Sequence, residues 1–267
     1  MSEFEKLGVV IKYEFLKHIR RRRLWVILGL ALLAEVAVLI MLPTLSDGYP
    51  DNVLAMAALL TIGPTLAAIG AVFFAGDAIA GEYEGRTGFM LFTNPIRRVT
   101  LWTGKYLASL VAVVLLIIFS YAIIAISLLV IYGEVPVETY KSFGLCLLFG
   151  SAVISVTFFF SSVSKGAMGA TVITLVFVMV ISGIIESVLS FTGNPYWFLI
   201  SAEGDSTYLV YGGIQTLLGS FGGGANFRTM LADFEPLNIG LAVLGMVIYL
   251  VVGFVLSILI SRRRQIA

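Results

Sequence analysis

Hydrophobic positions along this chain fall in long unbroken runs rather than in alternation. Each run is long enough for a helix that crosses a bilayer, which takes about 20 apolar residues. The runs predict six spans, at Leu24–Leu45, Val53–Ala75, Lys105–Tyr132, Tyr140–Val163, Ala167–Phe191 and Asn238–Ser261. A membrane barrel would instead show strands of about ten residues with alternating polarity. The predicted fold class is therefore all-α, a polytopic helical bundle forming one transmembrane domain over residues 1–267.

Ahead of the first span, Phe4, Leu7, Ile11, Phe15 and Ile19 recur at helical spacing, with Lys6, Lys12 and Lys17 on the other side. Residues 1–23 therefore predict an amphipathic interfacial helix that runs along the membrane surface into Arg20–Arg23. Those guanidinium groups can reach lipid phosphates, so membrane lipid is an expected partner, and a basic topogenic anchor is the plainer reading of the same residues. The first apolar run is a full span long and lacks a small-residue cleavage site, so it is expected to stay in the membrane.

Composition agrees with the spans. Hydrophobic residues make up 59% of the chain and charged residues 12%, with a mean hydropathy of +1.02. Soluble domains carry roughly 45–50% and 25%, so the surplus must face lipid. A net charge of +1 makes no case for a nucleic-acid partner. The single cysteine, Cys146, excludes an internal disulfide, and the single histidine, His18, excludes a zinc site built on several histidines, so no metal site is expected. Cys146 reads as a small buried residue and His18 as an interfacial one.

Placement of charge is more informative than its sum. All of the 17 basic residues except Lys141 and Arg228 fall on one side of the six spans. The other side carries Asp47, Asp51, Glu134, Glu138, Glu203, Asp205, Asp233 and Glu235. Retention of basic residues on the inner face predicts that both termini are cytoplasmic, in a multi-pass protein of the cell membrane.

Between the second and third spans, residues 76–104 are too long for a tight turn. Ile79, Tyr83 and Phe89–Phe92 supply apolar contacts, whereas Asp77, Glu82, Glu84 and Arg86 supply charge, as a short helix docking on another protein requires. Glu82 and Glu84 can accept hydrogen bonds from basic groups on a partner, and Gly81 permits close backbone approach. An ordinary solvated loop is the plain alternative.

The run Asp77, Ile79-Ala80-Gly81-Glu82-Tyr83-Glu84 and Thr87, followed by Leu91, Pro95 and Lys105, resembles the membrane subunits of ABC-2 type transporters. Gly85-Arg86-Thr87 departs from that family's more usual basic-Gly-Thr order. The resemblance implies a coupling helix formed by Asp77, Ile79, Ala80, Gly81, Glu82, Tyr83, Glu84 and Thr87 and seated in a groove of a separate ABC ATPase subunit. It also implies a second permease copy, identical or related, and export driven by ATP and Mg held in the ATPase. This chain has no Gly-x-x-x-x-Gly-Lys-Ser/Thr loop, so no cofactor is expected in it. A membrane-embedded enzyme acting on lipid or peptide and a non-transporting scaffold are the alternative functions.

Residues 192–237 form a long loop on the acidic side, expected as a lid or a membrane-associated loop with an apolar stretch at Leu209–Phe221. Within the spans, Glu35 falls near mid-bilayer and is a candidate for the translocation pathway, with an interhelical hydrogen bond to a Ser or Thr as the alternative. Glu186 falls near the far interface as a solvated or gate-lining carboxylate. Gly63-Pro64 predicts a kink in the second span, and Gly166, Gly169, Ala170 and Gly183 predict close packing along the fifth.

Overall fold

The computed structural model describes residues 2–45, 48–85, 97–213 and 237–263, and all regular structure among them is helical. Helix α1 covers Glu3–Arg20 and opens with a capping box. Ser2 Oγ accepts from the Glu5 amide, while Glu5 Oε2 accepts from the Ser2 amide. Arg22 follows with φ +58°, and this left-handed corner turns the chain into α2, Arg23–Leu45.

The second span is broken rather than merely kinked. Helix α3 (Val53–Leu60) stops at Thr61, and α4 (Gly63–Ala75) restarts with Pro64 in its first turn, where the missing N–H costs nothing. A turn at Gly76–Ile79 then leads into the short α5, Ala80–Glu84. Helix α6 starts at Arg98, seven residues before the predicted span, and runs to Tyr132, where Gly133 at φ +77° ends it. Helix α7 covers Val137–Val163. The fifth span is α8 (Ala167–Val176), a π-helical turn at Phe177–Ile181, and α9 (Ser182–Phe191). After α10 (Ile200–Leu209), the last span is α11, Ile239–Arg263.

Among the described residues six helical stretches are long and apolar enough to cross a membrane, and they match the six predicted spans. The second and fourth are 67% and 61% buried in their most apolar windows, against 22%, 17% and 22% for the first, fifth and sixth. Spans two and four thus form the centre, and the other three present their side chains to lipid. Small residues let the central helices approach closely. A Cβ at Gly70 would stand 2.6 Å from Leu116 of α6, and one at Gly253 of α11 would stand 2.9 Å from the Ser155 backbone of α7. Gly169 and Gly183, expected as close-packing positions of the fifth span, instead have no atom within 4 Å of an added Cβ, because that span lies at the periphery.

Both described ends of the chain lie at one end of the bundle. Thr100 Oγ1 at the start of α6 donates to Glu3 Oε2, and Arg98 Nη1 donates to the Arg262 carbonyl at the end of α11. This is called the basic end below. At the opposite end, part of the segment expected as a loop is a packed helix. Ala202, Glu203, Gly204, Ser206 and Thr207 of α10 are buried, and Ser142 Oγ of α7 donates to the Thr207 carbonyl. Residues 214–236, which include most of the apolar stretch Leu209–Phe221, lie outside the described residues.

Candidate functional site

The segment from Asp77 to Glu84 enters the basic end between the spans, and its groups are shared out among them. Asp77 Oδ2 accepts from Arg21 Nη1 at 2.6 Å and Arg23 Nη1 at 3.3 Å, which ties it to the corner between α1 and α2. Arg23 Nη1 also donates to the Phe73 carbonyl, so the same guanidinium closes the end of α4. Ser161 Oγ of α7 accepts from the Ile79 and Ala80 amides at 3.1 and 3.0 Å. Those amides precede or open α5 and have no intrahelical acceptor, so the serine satisfies two buried donors at once.

Glu82 turns inward. Lys105 Nζ of α6 stands 2.7 Å from Glu82 Oε1 and 2.6 Å from Glu14 Oε1 of α1, and Lys17 Nζ lies 3.3 Å from Glu14 Oε2 and 3.9 Å from Glu82 Oε1. Two carboxylates and two ammonium groups thus alternate across three helices. Lys105 is 1% exposed, which only close pairing makes tolerable. Burial alone would raise the Glu14 pKa, but Lys105 and Lys17 outweigh it and hold the carboxyl below its ordinary value.

The remaining groups reach the fifth and sixth spans. Glu84 Oε2 accepts from the Ala167 amide at 2.7 Å, capping α8 from outside, since Gly166 at its N-cap has no side chain to do so. Tyr83 stacks on Trp102 of α6 with centroids 6.3 Å apart, and its hydroxyl donates to the Ser261 carbonyl of α11 at 3.1 Å. A segment of eight residues is therefore bonded to every other span and to α1. Among the described residues no group of three or more His, Cys, Asp or Glu is placed to hold a metal, and Asp77, Glu82 and Glu84 have separate partners.

Sequence reasoning placed these acids on a surface awaiting basic groups from a partner. The structure brings Asp77, Ile79, Ala80, Gly81, Glu82, Tyr83 and Glu84 together but engages all three acids within the chain. Of that group Thr87 lies outside the described residues, as do Leu91 and Pro95. Glu14, Ser161 and Ser261 were missed. Glu14 shares a helical face with Val10, which packs against Gly104 of α6, so the Gly104-Lys105 pair opposite that face was the available signal.

The docking of α1 also differs from the expected surface helix. Phe15 and Ile19, expected on the side turned to the membrane, pack on the protein core, while Phe4 is 85% exposed and Lys17, expected on the polar side, turns toward Glu82. His18, expected at the interface, is buried edge-on against Phe74 with centroids 5.1 Å apart, and burial pushes its pKa down to about 4.

Away from this end, Glu35 is fully buried, and Ser120 Oγ of α6 donates to its Oε1 at 2.6 Å. That is the interhelical bond weighed against a pathway role. Glu186 is half-buried, with its carboxyl close to that of Asp205 of α10. Glu203, also on α10, is buried against Gly245 of α11, and neither carboxyl oxygen has a hydrogen-bond partner among the described residues. Its burial raises the pKa to about 9, so it is a neutral acid at pH 7.

Compared with known proteins, residues 10–181 match a family described as "ABC-2 family transporter protein". No curated protein matches the chain. The matched region takes in α1 from Val10, the first four spans, the Asp77–Glu84 segment and most of the fifth span.

Proposed function

The chain belongs to the ABC-2 family of transporter proteins, and from that premise we propose that it is the permease subunit of an exporter driven by a separate ABC ATPase. The ATPase holds the ATP and Mg, and this chain forms the translocation pathway together with a second permease copy, identical or related. The basic end faces the cytoplasm, with both termini on that side, and the protein resides in the cell membrane with its basic residues against inner-leaflet lipid.

One observation carries the reading: the segment Asp77–Glu84 is bonded to all five other spans and to α1. A displacement applied there is passed to the whole cytoplasmic end through short polar contacts. Coupling of this kind requires that the ATPase bind two permease conformations with different affinity. Asp77 and Glu82 are the internal side of the coupling helix, because their partners lie within the chain. Contact with the ATPase is then left to the exposed end of the segment at Glu84-Gly85 and to Thr87 beyond it. Glu35 and Glu186 remain the proposed pathway carboxyls.

The test is purification of the tagged chain from its native membrane with a cysteine at Gly85 and Cys146 replaced by Ala. Cys146 is free and buried, so its replacement leaves one accessible thiol. The expected result is a co-purifying ATP-binding subunit that crosslinks to position 85. Recovery of the folded chain with no ATPase, under extraction gentle enough to keep known complexes together, would overturn the reading.

A further inference from the structure

A cavity of about 570 Å³ opens at the basic end, away from the Asp77–Glu84 segment, and is lined by Glu3, Arg97, Arg98, Val99, Thr100 and Arg262. Among the described residues its lining carries three guanidinium groups against one carboxylate. That carboxylate is already engaged, since Thr100 Oγ1 donates to Glu3 Oε2 at 2.9 Å and Lys6 Nζ lies 3.3 Å from Glu3 Oε1. The arginines come from two elements, the start of α6 and the end of α11, which the Arg98 Nη1 bond to the Arg262 carbonyl holds side by side at 3.3 Å. Arg97 stands at the N-cap of α6 with no side-chain cap bond, so the positive end of a 35-residue helix adds to the same field.

The location narrows the ligand. Arg98 lies seven residues before Lys105, where the apolar run of the span begins, and so about 10 Å outside the hydrocarbon at 1.5 Å per residue. The headgroup layer is about 5–7.5 Å deep on each side, since a bilayer is about 40–45 Å thick around a hydrocarbon core of about 30 Å, so the Arg98 backbone stands just outside it and the long side chain reaches back into it. The planar donor fork of arginine matches phosphate oxygens two at a time. The volume exceeds a bare ion and suits a headgroup.

We propose that the cavity between the start of α6 and the end of α11 binds a phosphate-bearing anion through Arg97, Arg98 and Arg262, with the headgroup of an anionic lipid as its natural source. A lipid held there clamps α6 to α11. This site shares no residue with the ATPase-coupling segment, and it stands or falls independently of that reading.

The test uses the purified full chain in detergent, with native mass spectrometry after addition of phosphatidylglycerol or phosphatidylcholine, and with millimolar inorganic phosphate as a second probe. Phosphatidylglycerol should be retained in preference, and R97Q/R98Q/R262Q should lose that preference by about fivefold for each arginine removed. K12Q/K165Q, which removes two exposed charges elsewhere on the same end, should keep it. Displacement of the lipid by inorganic phosphate from the wild type supports the anion site and assigns it to a soluble phosphate, whereas resistance assigns it to the headgroup. Unchanged retention by the folded triple variant, or equal loss in K12Q/K165Q, overturns the proposal. Should the triple variant fail to fold, R262Q at the exposed end of α11 is read alone, and wild-type retention there overturns it equally.

Discussion

Lys105 Nζ lies 2.7 Å from Glu82 Oε1, joining the centre of the third span's first turns to the short helix α5. Because Lys105 is 1% exposed and also holds Glu14 at 2.6 Å, one ammonium fixes the relative position of three helices. The motif acid and the basic residue 23 positions later are therefore two halves of one buried contact. This accounts physically for their appearing together at that spacing.

Lys105→Met should destabilise the protein by about 3–5 kcal/mol, because it leaves two carboxylates facing each other beside Lys17 without the buried ammonium between them. Glu82→Gln should cost less, since Lys105 keeps Glu14 as a counter-charge. Thermal melting of both variants and of the double variant in detergent gives the coupling energy. Equal costs for the two single variants would show that the triad does not act as described.

Stability should fall on mild acidification through His18. Burial holds its pKa at about 4 against 6.5 when free, with Glu14 and Asp77 partly offsetting this and Lys17 and Lys105 reinforcing it. Between those values the exposed histidine takes up a proton that the buried one excludes, so stability drops as pH falls through the window and the loss is complete below about 4. The whole loss is on the order of 3 kcal/mol. Glu14 acts in the same direction, its contribution being lost as pH falls below 4.5 through its lowered value. Melting temperature at pH 7 and pH 5 should therefore differ more for the wild type than for His18→Gln.

Glu84→Ala should loosen the start of the fifth span. The Ala167 amide loses its acceptor, and removing a cap of this kind costs about 1 kcal/mol. Hydrogen exchange should quicken at residues 167–170 while α4 and α7 are unaffected. Glu84→Gln, which keeps an acceptor oxygen, should restore most of the protection.

The spans were legible because lipid-facing helices must be apolar over a fixed length, and the motif was legible because its spacing is local. Which way its acids point was not, since Asp77, Glu82 and Glu84 answer to Arg21, Lys105 and Ala167, and only the folded bundle brings these near. Helix α10 escaped notice for a related reason. It is ten residues long and carries Glu203 and Asp205, so no apolar run marks it within the segment expected as a lid or a membrane-associated loop, yet Glu203 is fully buried. His18 was placed at the interface from its basic neighbours, whereas the helical face it shares with Glu14 decides its burial.

Gly253 and Gly183 separate a packing role for glycine from its intrinsic cost in a helix. Both sit inside helices, where Ala is favoured over Gly by about 1 kcal/mol. At Gly183 nothing lies within 4 Å of an added Cβ, so Gly183→Ala should raise stability slightly. At Gly253 the new Cβ would stand 2.9 Å from the Ser155 carbonyl carbon and 3.0 Å from its oxygen, and backbone atoms cannot swing aside as a side chain can. Helices α7 and α11 must then move apart, at a cost of about 1–3 kcal/mol for overpacking, which outweighs the gain in propensity. Gly253→Ala should lower the melting temperature and Gly183→Ala should not. A fall of equal size in both would mean that close approach of the fourth and sixth spans does not hold the bundle together.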